Sequence, residues 1–229
     1  MAAPAEVKSK ADAKLIILGC ANVGKTCLIQ RYLNDKFTDT ISSVGASLAL
    51  KRWDDWTVAV WDTAGEEKYA PLSAFYCRGA SVAILAFDLT DRTTLTKLKE
   101  TFIPLLEDSV YDCLTIVTGT KQDLVSSQGR QVKSSEGVEL AEQLYTTQLQ
   151  ALRGSQNSFL KGLDPKKLYI ETSSKTGEGV QELFDQIRSI VLPHLRKTIP
   201  KSGKTSVKSS DGVTVLNSEP PAGKSRCCG

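Results

Sequence analysis

Gly19-Cys20-Ala21-Asn22-Val23-Gly24-Lys25-Thr26 fits the phosphate-binding pattern G-x-x-x-x-G-K-[ST] at every fixed position. The apolar run Leu15-Ile16-Ile17-Leu18 precedes it, and Leu28, Ile29, Tyr32 and Leu33 follow on one face of a helical pattern. Strand, loop and helix in that order is the setting the pattern needs. The glycines let the backbone curl until several N–H groups point inward at one anion, and the helix presents its positive dipole end to the same spot. A polyphosphate suits such a cradle. Lys25 then reaches the β- and γ-phosphates, and the Thr26 hydroxyl ligates the magnesium that bridges them. A glycine-rich turn capping an ordinary strand and helix is the alternative, and the motifs further along the chain weigh against it.

The 229 residues suffice for one well-buried domain and a tail, and are few for two independent domains. The expected division is a flexible N-terminus over 1–11, a domain over 12–197 and a flexible tail over 198–229. A net charge of +3 is too small to argue for nucleic acid. No apolar run approaches a bilayer's width, and Met1 to Lys14 has no apolar signal core, so the body is expected in the cytosol. With Ala2 in place of glycine, N-myristoylation is not expected. Without a sign of secretion the six cysteines read as thiols. Cys20 and Cys27 flank the phosphate loop, Cys77 and Cys113 lie far apart, and no zinc spacing emerges, so plain packing is expected of these four. Cys227 and Cys228 differ, sitting together one residue from Gly229.

Phe37 to Val44 is polar and reads as a loop. Ala46 to Trp53 and Trp56 to Asp62 read as strands of a hairpin turning at Asp54-Asp55, and further strands are expected at Val82 to Phe87, Leu114 to Val117 and Leu168 to Ile170. Helical patterns lie between them. The one after Asp91 carries Leu95, Leu98 and Phe102 and should kink or end at Pro104, which has no backbone donor. The next places Leu140, Ala141, Leu144 and Leu152 on one side and ends near Gly154; the last carries Val180, Leu183, Phe184, Ile187, Ile190 and Val191. His194, the lone histidine, suits a surface or capping role at its end. Ser155 to Asp164 reads as an exposed insertion. Alternating strands and helices mean a mostly parallel sheet covered on both faces, with ligands at the carboxyl ends of its strands.

Three more motifs fall at such ends. The strand from Trp56 ends in Asp62, and such an aspartate holds magnesium in phosphate-loop proteins, usually through water. Thr63-Ala64-Gly65 follows at once, and Gly65 lets a backbone N–H approach a γ-phosphate. After the fifth strand comes Thr120-Lys121-Gln122-Asp123, whose last carboxylate can accept two hydrogen bonds from guanine N1 and N2; adenine offers no such pair. After the sixth comes Glu171-Thr172-Ser173-Ser174-Lys175, where a backbone N–H can reach guanine O6.

Together these residues resemble the Ras superfamily of small GTPases over about residues 12–195. Phe75-Tyr76-Cys77-Arg78-Gly79-Ala80 and the paired terminal cysteines resemble its Rab branch, of which the chain looks like a divergent member. The resemblance implies an α/β, phosphate-loop NTPase fold, with a mostly parallel six-stranded sheet and helices on both faces. It implies GTP or GDP bound with Mg2+, held by the loop from Gly19 to Thr26 with Cys27, by Ser43 and Gly65, and by Thr120, Lys121, Asp123, Ser173, Ser174 and Lys175 at the base. Thr26, Ser43 and Asp62 would serve the metal, and Lys25, Gly65 and Glu66 the hydrolysis. Leu48, Trp61 and Tyr76 stand where Rabs present an apolar patch to effectors; ordinary core packing is the other reading of these three.

Several positions depart from the family pattern. Glu66 stands where relatives use a glutamine to orient the attacking water, and a carboxylate beside a polyanion is repelled and lacks the amide's donor. Thr120 replaces an asparagine and cannot bridge base and phosphate loop in the same way. Ser43 replaces a threonine and still offers a hydroxyl. Ala21 puts a methyl where some relatives have glycine, crowding an arginine brought by an activating protein.

The tail from Ile199 has five Lys or Arg against two acids, a weak attraction to an anionic membrane surface. Cys227-Cys228-Gly229 resembles Rab ends that take two geranylgeranyl groups, and two lipid chains anchor stably where one does not; an unmodified end is the alternative. The expected function is a monomeric switch that slowly hydrolyses GTP and recruits effectors on the cytosolic face of Golgi, endosomal or phagosomal membranes, with a cytosolic pool. Its expected partners are effectors, an exchange factor, a GTPase-activating protein, a prenylation escort and a GDP-dissociation inhibitor, with no nucleic acid. A persistently GTP-bound scaffold and a phosphate-loop kinase are the rivals.

Overall fold

In a computed structural model the protein is described over residues 11–38, 46–65, 76–107, 113–152 and 159–199, and as backbone over 214–216. Seven strands form one sheet: β1 Ala13–Leu18, β2 Ala46–Trp53, β3 Trp56–Thr63, β4 Val82–Asp88, β5 Leu114–Thr120, β6 Tyr169–Glu171 and β7 Thr214–Leu216, in the order β6-β5-β4-β1-β3-β2-β7. β1 runs parallel to β3 and β4, and β5 parallel to β4 and β6. β2 is antiparallel to β3, as expected of a hairpin, and its turn residue Asp54 adopts φ 51. Every residue of β4 and β5 is buried, so both faces of the sheet are covered, as parallel strands require.

The covering helices are α1 Lys25–Asn34, α2 Arg92–Lys97, α3 Ile103–Glu107, α4 Val125–Gln128, α5 Ser134–Ala151 and α6 Val180–Thr198. Their apolar stripes match the spacings read from the sequence: Leu140 and Ala141 bury on α5, and Val180, Leu183, Phe184, Ile187 and Val191 on α6. α1 and α6 meet through the stacked rings of Tyr32 and Phe184, 3.5 Å between centroids. The Tyr32 hydroxyl also accepts from Trp53 Nε1 at 2.7 Å, and Asp54 pairs with Arg188 and with Arg196, the latter at 3.3 Å. The β2–β3 hairpin is therefore tied at its tip to the last helix.

Two expectations are corrected and one strand is added. Pro104 does not end its helix. The chain widens into a π-turn over Leu98–Phe102, with the Ile103 N–H reaching back to the Leu98 carbonyl, and resumes as α3. A wider turn gives the ring room and absorbs the donor it lacks. The segment before β6 is not a wholly exposed insertion: Leu160 is 1% exposed, and Phe159 stacks on His194 at 4.3 Å between ring centroids. His194 is thus a half-buried stacking partner. The remaining change is an addition, since β7 extends the six expected strands from within the tail.

Candidate nucleotide-binding site

The phosphate loop lies between β1 and α1. Gly19 has φ 149, and a Cβ there would stand 2.2 Å from the Ala86 carbonyl oxygen of β4; Gly24, with φ 92, opens α1. Side chains larger than hydrogen are excluded at Gly19 by that contact and strained at Gly24 by its dihedral. Lys25 is buried, and its ammonium donates to the carbonyls of Gly19 at 2.9 Å and Cys20 at 2.8 Å, so its charge sits over the loop's own curl.

Asp62, at the end of β3, comes to the same place. The Thr26 hydroxyl donates to Asp62 Oδ2 at 2.7 Å, while the buried Oδ1 has no hydrogen-bond partner. A buried carboxylate oxygen without a donor is costly. Burial pulls Lys25 down to about 8, against the attraction of Asp62 and Cys20. Burial likewise pushes Asp62 above its ordinary value, against the Thr26 hydrogen bond and Lys25. A divalent cation beside Oδ1 would reverse the direction at Asp62 and satisfy the orphaned oxygen. The donor set, hard oxygens from a hydroxyl and a carboxylate, suits magnesium. Thr63 fixes the strand end by donating to the Ile17 carbonyl at 2.6 Å.

Gly65 lies against the loop: a Cβ on it would meet Lys25 Nζ at 2.3 Å and the Ala21 nitrogen at 2.4 Å. The chain leaving Asp62 is thereby brought to the loop's mouth. Glu66 and Ser43 lie outside the described residues, as do Cys227 and Cys228.

The two base motifs converge at the ends of β5 and β6. Ser173, fully buried, donates to Asp123 Oδ1 at 2.6 Å and accepts from the Thr176 N–H at 3.1 Å, which orients the carboxylate. The Gln122 N–H donates to the Thr172 carbonyl at 3.1 Å, joining the loops. Lys121 adopts φ 60, and its ammonium pairs with Asp88 Oδ2 at 2.8 Å. Thr120 is 2% exposed, and its hydroxyl lies 2.7 Å from the Val23 carbonyl and 2.9 Å from that of Phe87. The tie from this strand to the phosphate loop, in doubt from the sequence, is made by the shorter side chain; its single proton is then committed to backbone.

Sequence reasoning missed two positioning residues. Arg31 on α1 donates from Nε to the Ser174 carbonyl at 2.7 Å and from a terminal nitrogen to that of Lys175 at 2.8 Å, fastening the last base loop to the phosphate-loop helix. Its partners lie more than a hundred residues away in the chain. Asp88, which holds Lys121, did carry a signal: it is a carboxylate at the carboxyl end of a parallel strand.

Leu48, Trp61 and Tyr76 do come together. Leu48 is the direct cross-strand partner of Trp61, whose ring lies 5.3 Å from that of Tyr76, centroid to centroid. All three are half-buried, and Lys14 places its ammonium 5.0 Å from the centre of the Trp61 ring. Cys20, Cys77 and Cys113 are buried thiols, and burial pushes Cys77 up to about 11.

The family model for the Ras family matches residues 14–192, from the first residues of β1 to the middle of α6. The chain belongs to the Ras family. It is a divergent Rab, 32% identical to mouse Ras-related protein Rab-20 over 96% of this chain and 99% of that protein. Human Rab-20 gives the same identity and coverage, and the Ras-like GTP-binding protein RYL2 of Yarrowia lipolytica is 32% identical over 95% of this chain and 98% of its own. The divergent Rab read from the sequence is thus met in these relatives. As a small GTPase the chain has its phosphate and base motifs together at the carboxyl ends of its strands. No helix among the described residues is long and apolar enough to cross a membrane.

Proposed function

We propose that this Rab binds GTP and GDP with Mg2+, hydrolyses GTP slowly to GDP and phosphate, and in its GTP form recruits effectors that regulate vesicle traffic. The observation that carries the reading is the unpartnered, buried Asp62 Oδ1 beside the Thr26 hydroxyl, at the mouth of a loop spanned by Lys25. Thr26 and Asp62 would hold Mg2+ with Ser43, and the ion would neutralise negative charge on the phosphates. Lys25 brings its charge to the same oxygens, and Gly65 gives its backbone N–H a close approach to the γ-phosphate. Asp123, held by Ser173, reads guanine; Ser174 and Lys175 line the base, Lys121 flanks it, and Thr120 steadies the loop beneath.

Leu48, Trp61 and Tyr76 form the effector patch. Cys227 and Cys228 carry two prenyl groups that anchor the chain to the cytosolic face of Golgi, endosomal or phagosomal membranes, with an escort for prenylation and a GDP-dissociation inhibitor maintaining a cytosolic pool. An exchange factor and a GTPase-activating protein set the balance of forms, and the switch acts as a monomer.

Single-turnover hydrolysis tests this directly. Conversion of bound GTP at or below the order of 10⁻⁴ per second, and roughly tenfold faster in Glu66→Gln through recovery of a neutral donor, is the expected result. An unchanged rate in that variant would place the limit at Ser43 or Ala21. Bound GTP that is never converted would favour the second reading, a persistently GTP-bound scaffold, which the carboxylate at Glu66 motivates.

A further inference from the structure

Without β7, β2 would be the edge of the sheet, an eight-residue strand with one row of unpaired backbone groups. The chain closes that edge itself. Thr214–Leu216 runs antiparallel to β2, with Leu48 opposite Leu216, Ala49 opposite Val215 and Leu50 opposite Thr214. The sequence explains the choice of segment: between Pro200 and Gly229 the only uninterrupted run of strand formers is Val213-Thr214-Val215-Leu216, led by Asp211-Gly212 and followed by Asn217 and, further on, Pro220-Pro221. Leu48 thus has a partner on both sides, Trp61 on β3 and Leu216 on β7. Neighbouring strands lie about 4.8 Å apart, so β7 stands directly beside the row that carries Leu48 and Trp61.

We propose that the outer edge of β2 is a binding site for an extended, β-branched peptide, and that its resident ligand is the chain's own Thr214–Leu216. Docked there, the tail closes the sheet edge and covers the flank of the Leu48–Trp61–Tyr76 surface; released, it exposes both. The consequence for partners rests on reading that surface as the effector patch, whereas the strand pairing stands independently of it. Docking also shortens the tether. About 11 residues separate Leu216 from Cys227 against about 29 from Thr198, which reach at most roughly 40 Å and 100 Å when extended. With the lipid anchor proposed above, the docked strand would hold the domain close to the bilayer.

The test is amide hydrogen exchange across Ser47–Lys51 in the full chain, compared with full-length Val215→Pro, whose ring locks φ at about −65°, away from the extended value of an antiparallel strand, and leaves the middle residue of β7 without an N–H. The expected result is roughly tenfold faster exchange at the β2 amides that face away from β3, with β4 and β5 unchanged. A synthetic peptide of residues 211–218 should then bind the Val215→Pro protein at least tenfold more tightly than the wild type, whose edge is filled. Equal exchange in the two proteins, or equal peptide binding, would overturn the proposal. The guanine nucleotide bound by each protein, measured on the same samples, reports separately on the switch reading, so the two can fail independently.

Discussion

Removing the Thr120 hydroxyl while keeping its shape isolates the tie between β5 and the phosphate loop. Thr120→Val conserves volume at a position 2% exposed, and deprives the carbonyls of Val23 and Phe87 of the hydroxyl that reaches them at 2.7 and 2.9 Å. One proton serves two acceptors, so the loss amounts to one hydrogen bond. Leaving a buried acceptor unsatisfied costs about 1–3 kcal/mol. For a domain of this size that lowers the melting temperature by about 2–12 °C. Because Val23 is within the phosphate loop, GDP should dissociate faster, by roughly 5- to 150-fold if the whole cost is felt there. Thr120→Ser keeps the hydroxyl and deletes a methyl, which costs about 1 kcal/mol of packing and should leave GDP release near the wild-type rate. Release of a fluorescent GDP analogue from the three proteins, with melting curves alongside, makes the comparison. If Thr120→Val retains nucleotide like the wild type while Thr120→Ser loses it, the hydroxyl has no such role and the reasoning is wrong.

Other perturbations follow from the same geometry. Arg31→Ala frees the carbonyls of Ser174 and Lys175 and should speed GDP release several-fold with a small change in melting temperature, since that arginine holds a loop and not the core; unaltered release would dismiss it as a positioning residue. In Gly137→Ala the new methyl meets the Tyr169 ring at 2.2 Å, so despite better helix propensity it should destabilise by about 1–3 kcal/mol, read by denaturant unfolding, and a stabilised protein would contradict the packing described. The Glu136 carboxyl is held down to about 2 by hydrogen bonds from Arg92 and the Lys133 N–H. Its folded-state value lies below its unfolded one, so its stabilisation is full above the ordinary carboxylate range and is lost as pH falls toward about 2. The pair is largely exposed, so Glu136→Gln should cost no more than about 1 kcal/mol at neutral pH, and the gap from wild type should narrow on acidification; a gap that widens would reverse the sign of that argument.

What was legible in the sequence was what local pattern controls. Apolar runs gave the buried parallel strands, because these need uninterrupted Val, Ile, Leu and Ala, as in Val82–Phe87, and the antiparallel β2 was legible from its place in a hairpin with β3. The phosphate loop and Asp62 were legible because glycine, lysine, threonine and a strand-end carboxylate have chemistry tied to spacing. Asp123 and Ser173 were found singly, and their 2.6 Å hydrogen bond joins residues 50 apart. Arg31 was not legible, since an arginine on a helix gives no local sign of a distant carbonyl. From the sequence, side-chain length alone says that Thr120 cannot bridge base and phosphate loop as an asparagine does; the close approach of β5 to Val23, a tertiary fact, lets a shorter hydroxyl reach the loop. The π-turn before Pro104 was hidden for the opposite reason, that local chemistry predicted a break and packing of Leu98, Phe102 and Ile103 kept the helix in place. The strand in the tail was masked by its surroundings, where Lys, Ser, Gly and Pro outweigh four consecutive strand formers.

The account rests on guanine nucleotide filling this site. Purifying the full-length protein with magnesium present, denaturing it and identifying the released nucleotide by chromatography measures that without any assumption about partners or rates. The account predicts close to one equivalent of guanine nucleotide, chiefly GDP. Adenine nucleotide, or an empty site that magnesium and added GDP fail to fill, would contradict it.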